Sequence, residues 1–181
     1  MQPLKIMNLQ WLKMETQNEI IRKKARQGIK IYSDFISKKS AKSEYYNYEC
    51  LAAINEFSLY DLQVQKHDKE DYGEYSTVYV EIKMRDDNVS YTDYDTSVID
   101  AYKITNLQKL AYITDCRVFV AVIYPKDKKI LQWEIEADEQ YNTDNTEVVW
   151  KSKSLSEGEI YKLQKCLVHL PISQAKIFNY Q

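Results

Sequence analysis

Two acidic residues and one lysine in the first half of the chain have the types and spacing needed for metal-assisted chemistry. Glu81 and Lys83 lie two positions apart, and Asp61 lies twenty positions before Glu81. Two carboxylates that meet in space form a hard oxygen site that suits Mg²⁺ or Mn²⁺. A nearby ammonium group can orient a water molecule and stabilise the negative charge that builds up on phosphorus. Such a set would suffice for phosphodiester hydrolysis without any histidine or cysteine.

The segments around these residues predict the strands that would position them. In residues 77–86 apolar and polar side chains alternate strictly, which is typical of a half-buried β-strand. This alternation places Glu81 and Lys83 on one face. Asp61 stands at the entrance of a second predicted strand, and a polar loop with Gly73 as its turn residue separates the two strands. A hairpin of this kind would bring Asp61 beside Glu81. The open alternative is a solvated strand face with an ordinary ion pair.

The rest of the pattern predicts an α/β fold with a central mixed sheet flanked by helices. The first expected elements are a helix over 12–41 with a break near Gly28, a strand over 48–54, the two strands above, and a helix over 97–113 capped by Thr96 or Ser97. A strand over 117–124, buried on both faces, follows, and then strands over 130–136 and 147–151. The last are a helix over 156–167 with a capping box at Ser156 and Glu159, and an irregular tail.

Composition excludes several other kinds of chemistry. The chain has 181 residues, a formal net charge of −2, three widely spaced cysteines and two histidines. This set offers no zinc site at the usual spacings and little material for a Ser or Cys triad. It contains no glycine-rich phosphate loop. We expect one domain over residues 1–181 with free thiols in a reducing cytoplasm, without a signal peptide or a membrane span.

The first predicted helix is strongly basic. Between residues 20 and 43, eight lysines and arginines stand against Asp34 alone. The basic residues at the start of this segment are Arg22, Lys23, Lys24 and Arg26. A solvated helical face is the ordinary explanation for such a segment, and a surface that contacts phosphates is the functional one.

Two short segments resemble the motif of the PD-(D/E)XK nuclease superfamily. They are YDLQV over 60–64, with Asp61 as the first acid, and VEIK over 80–83, with Glu81 and Lys83 as the (D/E)XK element. Tyr60 stands where the motif has proline. The predicted element order is similar to the restriction-endonuclease-like αβββαβ core of that superfamily. The core would cover roughly 14–136, with 137–181 as a C-terminal extension of strand and helix.

The resemblance implies a metal-dependent nuclease, with DNA as the expected substrate. It implies that Asp61, Glu81 and the backbone carbonyl of Ile82 bind Mg²⁺ or Mn²⁺. Lys83 would position the attacking water and stabilise the transition state. A composition rich in Lys, Asn, Ile and Tyr and poor in Gly fits an AT-rich genome, such as that of a phage or mobile element.

Two further residues follow from the resemblance alone. The first helix of the superfamily often supplies an acid, for which Glu19 is the best-placed candidate, and the helix after the ExK strand often supplies a Lys or Gln, for which Lys103 is the candidate. The basic helix would bind the DNA backbone. Two alternatives stay open: a catalytically inactive member of the fold that serves as a structural or protein-interaction subunit, and an unrelated α/β interaction domain. The sequence does not decide whether the chain acts as a monomer or a homodimer.

Overall fold

A computed structural model describes residues 4–53, 58–69, 75–150 and 161–180 of the chain. In this part of the sequence four strands follow the first α-helix and five strands follow the second. In chain order the elements are α1 (Leu4–Lys42), β1 (Tyr46–Ala52), β2 (Leu62–Asp68), β3 (Tyr75–Met84), β4 (Thr96–Asp100), α2 (Ala101–Thr114), β5 (Arg117–Tyr124), β6 (Lys129–Glu134), β7 (Thr143–Trp150), β8 (Tyr161–Pro171) and β9 (Lys176–Asn179).

The larger sheet has six strands in the order β1-β2-β3-β5-β6-β9 within the described residues. β3 and β5 pair in parallel, and the other neighbours pair antiparallel. The parallel pair requires the crossover that α2 provides. The predicted α/β fold with a central mixed sheet is therefore confirmed, and the predicted order αβββαβ is present with the short strand β4 added before α2.

The two faces of this sheet support separate parts of the core. Val80 and Ile82 of β3 pack with α1, on the same face as Phe119 and Ile123 of β5. Glu81 and Lys83 alternate with these residues and so lie on the face toward α2. Every residue of β5 after Arg117 is buried, because helices and strands cover both of its faces. The alternation expected from residues 77–86 is confirmed.

A second, three-stranded sheet in the order β4-β8-β7 lies on the α2 side. Val168 and Leu170 of β8 join the core there, and the Trp133 indole donates a hydrogen bond to the Pro171 carbonyl at 2.8 Å. The predicted helix over 156–167 is wrong from Tyr161 onward, where β8 begins. Ser156 and Glu159, the expected capping box, lie outside the described residues. The tail expected to be irregular, from Val168 onward, contributes the end of β8 and the edge strand β9.

The predicted break in the first helix is also wrong, because α1 continues through Gly28. A Cβ atom on Gly28 would lie 3.2 Å from Cγ2 of Ile82 and 3.7 Å from Cδ1 of Ile123. The glycine therefore permits α1 to approach the sheet closely and does not interrupt the helix.

The second helix begins later than expected. Thr96 and Ser97, the predicted caps, belong to β4, which pairs with β8 more than sixty residues away. α2 begins at Ala101 after Asp100, whose side chain makes no capping hydrogen bond. In the described part of the chain, no helix is both long and apolar enough to cross a membrane.

Candidate active site

Hydrogen bonds hold Asp61 against β3 at the point where β2 begins. The register of β2 with β3 ends at the pair Leu62 and Val80, and Asp61 stands directly before Leu62. The Asp61 amide donates to the Val80 carbonyl at 3.0 Å. The Asp61 carboxylate accepts a hydrogen bond from the Ile82 amide at 2.7 Å. The expected antiparallel strand pair therefore holds Asp61 by both its backbone and its side chain, while the expected turn residue Gly73 lies outside the described residues.

Glu81 is a buried carboxylate with a cationic partner. Only 6% of the residue is exposed, and its carboxylate forms an ion pair with the Lys103 ammonium of α2. The Lys103 side chain is 51% exposed, so the pair lies at the boundary between the core and solvent. A buried charge needs such a partner, because an unpaired carboxylate in the interior is strongly destabilising.

The electrostatics of Asp61 and Lys103 follow from shared burial. Burial raises the pKa of Asp61, while the Ile82 amide and the Lys103 charge oppose that rise. Burial lowers the pKa of Lys103, and the Asp61 charge opposes that fall. Lys103 therefore interacts with both acids, and Asp61, Glu81 and Lys103 form one charged cluster.

Lys83 follows Glu81 by two positions in β3 and lies on the same face of the strand. Its ammonium donates a hydrogen bond to the Val98 carbonyl of β4 at 2.8 Å. Burial, together with the positive charges of Arg85 and Lys165, lowers the pKa of Lys83 to about 8, and Asp100 partly offsets these effects. The pKa of Lys83 thus lies close to neutral pH, where its side chain can gain or lose a proton.

Three residues near Lys83 were not predicted from the sequence. The Lys165 ammonium lies 3.3 Å from the Asp100 carboxylate, and the Arg85 guanidinium donates to the Ser97 hydroxyl at 2.8 Å. Lys165 belongs to β8, far along the chain, and no local motif marks it. In the sequence, Asp100 is marked only by its place just before an amphipathic helix. Arg85 is marked only as the next polar residue, after Lys83, in the alternation that runs through β3.

Glu19 is not brought into this cluster. It is exposed on α1 and stands nine residues before Gly28. At about 100° per residue this spacing is two and a half turns, so Glu19 lies on the side of α1 opposite the close contact with β3. Lys103, the other residue that the resemblance implied, does lie beside Glu81.

The donor set fits a small divalent cation, although it is sparse. Among the described residues no group of three or more His, Cys, Asp or Glu side chains is arranged to hold a metal. Mg²⁺, however, is commonly bound by one or two carboxylates together with water and substrate. The amide and carbonyl of a strand residue point to the same side, so the Ile82 carbonyl shares the side of β3 that faces Asp61. The buried Glu81, with a lysine as its present counter-ion, is a place where a positive charge is already required.

The basic helix passes the same end of β3. Lys24 forms an ion pair with Asp86, two residues after β3 ends, and both side chains are substantially exposed. Arg22, Lys23 and Arg26 are exposed on the same part of α1. The segment of α1 over 22–26 therefore lies along the end of the sheet at which the chain passes from Asp61 into β2.

Comparisons with known proteins give little beyond this geometry. No protein-family model matches the chain, and no curated protein matches it significantly. Among solved structures, it is similar to Hjc, a Holliday junction resolvase from the archaeal hyperthermophile Archaeoglobus fulgidus. The TM-score is 0.33 at 16% sequence identity, and the match covers 48% of this chain and 63% of the resolvase chain, less than two thirds of its length. A likeness this weak carries no weight for the function.

Proposed function

We propose that this chain is a metal-dependent nuclease that hydrolyses phosphodiester bonds of DNA. The observation that supports it best is the hydrogen bond from the Ile82 amide to the Asp61 carboxylate, which holds that acid against the strand that carries the buried Glu81. Two carboxylates fixed on neighbouring strands of one sheet are preorganised and do not need to be gathered from mobile loops. This arrangement is more specific than a solvated strand face, on which Glu81 would be exposed.

In this proposal Asp61, Glu81 and the Ile82 carbonyl hold Mg²⁺ or Mn²⁺. A bound divalent ion would polarise the phosphate and lower the pKa of a water molecule. Lys83 contributes an ammonium group whose pKa of about 8 lets it hold or release a proton near neutral pH. Lys103 keeps the buried carboxylate neutralised until substrate and ion arrive, and then becomes available to a phosphate oxygen.

DNA is the proposed substrate because of the charge on α1 and the resemblance of the VEIK segment. The exposed basic residues Arg22, Lys23 and Arg26, in the middle of α1, offer contacts to phosphates. Such contacts position a nucleic acid without reading its sequence. Glu19 has no role in this proposal, since it faces away from the sheet.

The test is cleavage of linear and circular DNA by the purified protein with Mn²⁺ or with EDTA. Asp61→Asn and Glu81→Gln should each abolish cleavage, and Lys83→Met should slow it about 10²–10³-fold. Asp138→Asn, at an exposed position after β6, is the matched control and should cleave like wild type. If wild type cleaves no DNA and shows no metal-dependent rise in melting temperature, the proposal fails.

One observation favours a second candidate, a catalytically silent member of the same fold. The Lys103 ammonium already neutralises Glu81, so the site is electrostatically satisfied without a metal. A silent protein would melt at the same temperature with and without Mn²⁺, whereas the melting temperature of a nuclease would keep rising as the Mn²⁺ concentration exceeds its dissociation constant.

A further inference from the structure

A groove of about 770 Å³ lies on the face of the sheet opposite Glu81, beside the second half of α1. The six-stranded sheet curls around this helix, so that Tyr48 of the edge strand β1 and Phe178 of the opposite edge strand β9 line the same groove. Its volume lies within the range of ligand sites, roughly 300–1,000 Å³.

The floor of the groove is aromatic. Phe35 of α1 and Phe178 of β9 are in contact, with ring centroids 5.2 Å apart and planes inclined at 48°. Tyr48 and Tyr180 are the other aromatic residues of the lining, and both are only half-buried. Part of this flat apolar surface therefore stays accessible to a ligand.

The rim of the groove is basic. Lys38, Lys39 and Lys42 project from the last turns of α1, and the Lys39 ammonium lies 5.8 Å from the centre of the Tyr48 ring. The acid that lines the groove, Asp34, already forms an ion pair with Lys30 at 2.7 Å. A chain with a net charge of −2 thus presents a local excess of positive charge at this groove.

We propose that this groove binds a single-stranded segment of nucleic acid, with bases on the aromatic floor and phosphates along the lysine rim. Aromatic rings interleaved with lysines are the arrangement by which proteins hold unpaired strands, because every base can stack and every phosphate can pair with a cation. An acidic polypeptide would use the lysines but would leave the rings without flat partners. The inference rests on the proposed nuclease function for the choice of nucleic acid, and it adds that the substrate carries an unpaired region.

A neighbouring cavity of about 550 Å³ shares Phe35, Lys39 and Tyr48 with the groove but is less suited to phosphates. Its Arg117 binds the Glu134 carboxylate at 2.6 and 2.7 Å. Its Lys66 ammonium lies 3.4 Å from the centre of the Tyr46 ring. The groove, by contrast, gathers Lys38, Lys39 and Lys42 on the last turns of α1 beside the aromatic floor, and so we place the strand there.

The test is the affinity of the full chain for a short fluorescein-labelled oligo(dT), measured by anisotropy in EDTA. Lys39→Gln/Lys42→Gln should weaken binding about tenfold at low salt and flatten its salt dependence. Tyr180→Leu should weaken it about tenfold by removing a stacking ring, while Tyr180→Phe keeps the ring and should bind like wild type. Lys109→Gln/Lys126→Gln makes the same change in charge at exposed positions elsewhere and should leave affinity unchanged.

The measurement in EDTA separates this inference from the nuclease proposal. Wild type should bind oligo(dT) in EDTA, where no metal-dependent cleavage takes place, and a wild type that cleaves nothing but loses oligo(dT) affinity through the groove variants still supports the groove. Thermal melts show which variants remain folded, and the lysine double variant changes only the rim. Equal affinity of wild type and both groove variants would overturn the inference, as would displacement of the probe by poly-glutamate but not by unlabelled oligo(dT).

Discussion

Lys103 of α2 forms an ion pair with Glu81 of β3, on the face of the sheet where both proposed metal-binding acids lie. Glu81 is almost fully buried, whereas Lys103 is half exposed, so the two ends of this pair differ in their freedom to move. The carboxylate is fixed by the strand, and the ammonium sits on a long flexible side chain that can withdraw into solvent. Lys103 can therefore act as a removable counter-ion for Glu81, whose position in the strand is fixed.

The first prediction follows from this asymmetry. Lys103→Gln should destabilise the metal-free protein by about 1–3 kcal/mol, because it leaves a buried carboxylate without its charged partner. The same variant should bind Mn²⁺ more tightly than wild type, because no ammonium competes with the ion. Urea denaturation and thermal melts with increasing Mn²⁺ measure both effects.

Lys109→Gln, at an exposed position on the same helix, is the control for Lys103→Gln. It should change neither stability nor Mn²⁺ binding appreciably. If Lys103→Gln loses stability and Mn²⁺ does not restore it, Glu81 is a structural residue and the silent candidate is favoured.

The second prediction concerns Asp61 and pH. Burial raises the pKa of this carboxyl, so the folded protein binds its proton more tightly than the unfolded chain does, and ionisation near neutral pH costs stability. Asp61→Asn keeps an acceptor for the Ile82 amide and should melt at a higher temperature than wild type at pH 7. The difference should shrink as the pH falls through the raised pKa. A difference that stays constant down to pH 4 would contradict the assigned burial.

The third prediction concerns Lys83, whose lowered pKa has the opposite consequence. Between the folded pKa of about 8 and the usual value of 10.5, the unfolded chain binds more protons than the folded one. Wild type should therefore gain stability from this residue as the pH rises through that window. Lys83→Met lacks the effect, so its melting temperature relative to wild type should be highest near pH 7 and should fall toward pH 10. Melts at a series of pH values would reveal a flat difference if Lys83 were solvated.

The fourth prediction concerns the basic segment of α1 over 22–26. Replacing Lys23, Lys24 and Arg26 with glutamine should weaken binding to every DNA sequence alike and should reduce the salt slope by about one for each phosphate that these residues neutralise. The fold should tolerate the change, because the pair between Lys24 and Asp86 is exposed and contributes little. An unchanged slope would show that this helix face is merely solvated.

The parts of the fold that the sequence predicts correctly are those with strong local patterns. The alternation through Glu81 and Lys83 and the apolar run after Arg117 each define a strand without knowledge of the partner. The position of Asp61 beside Glu81 follows from the spacing of one hairpin. Only the hydrogen bond from the Ile82 amide, which fixes the carboxylate, needed three-dimensional geometry.

The errors fall where pairing partners are remote in sequence. β4 and β8 form strands because they pair with each other across more than sixty residues, and their local sequences also suit helices. Lys165 reaches the neighbourhood of Lys83 only through that pairing, so it could not be predicted. The break expected at Gly28 is wrong because a helix-interior glycine has two explanations, a break or a close approach, and only the neighbouring Ile82 decides between them.

The last prediction tests this close approach. A Cβ on Gly28 would lie 3.2 Å from Cγ2 of Ile82, a distance that requires a shift of a few tenths of an ångström. Gly28→Ala should change stability little, because about 1 kcal/mol of improved helix propensity opposes the tight contact. Gly28→Leu should destabilise the protein by about 1–3 kcal/mol through overpacking. Ala25→Leu, at an exposed position one turn earlier, should stay within about 0.5 kcal/mol of wild type.

The close approach also links α1 to the site, since the backbone of Ile82 holds the Asp61 carboxylate. A leucine at position 28 that pushes Ile82 away should therefore reduce the Mn²⁺-dependent rise in melting temperature as well as the stability itself. Ala25→Leu should retain the full rise. If Gly28→Leu were as stable as wild type and equally responsive to Mn²⁺, α1 would not pack against β3 at this distance, and the glycine would have no part in positioning the acids.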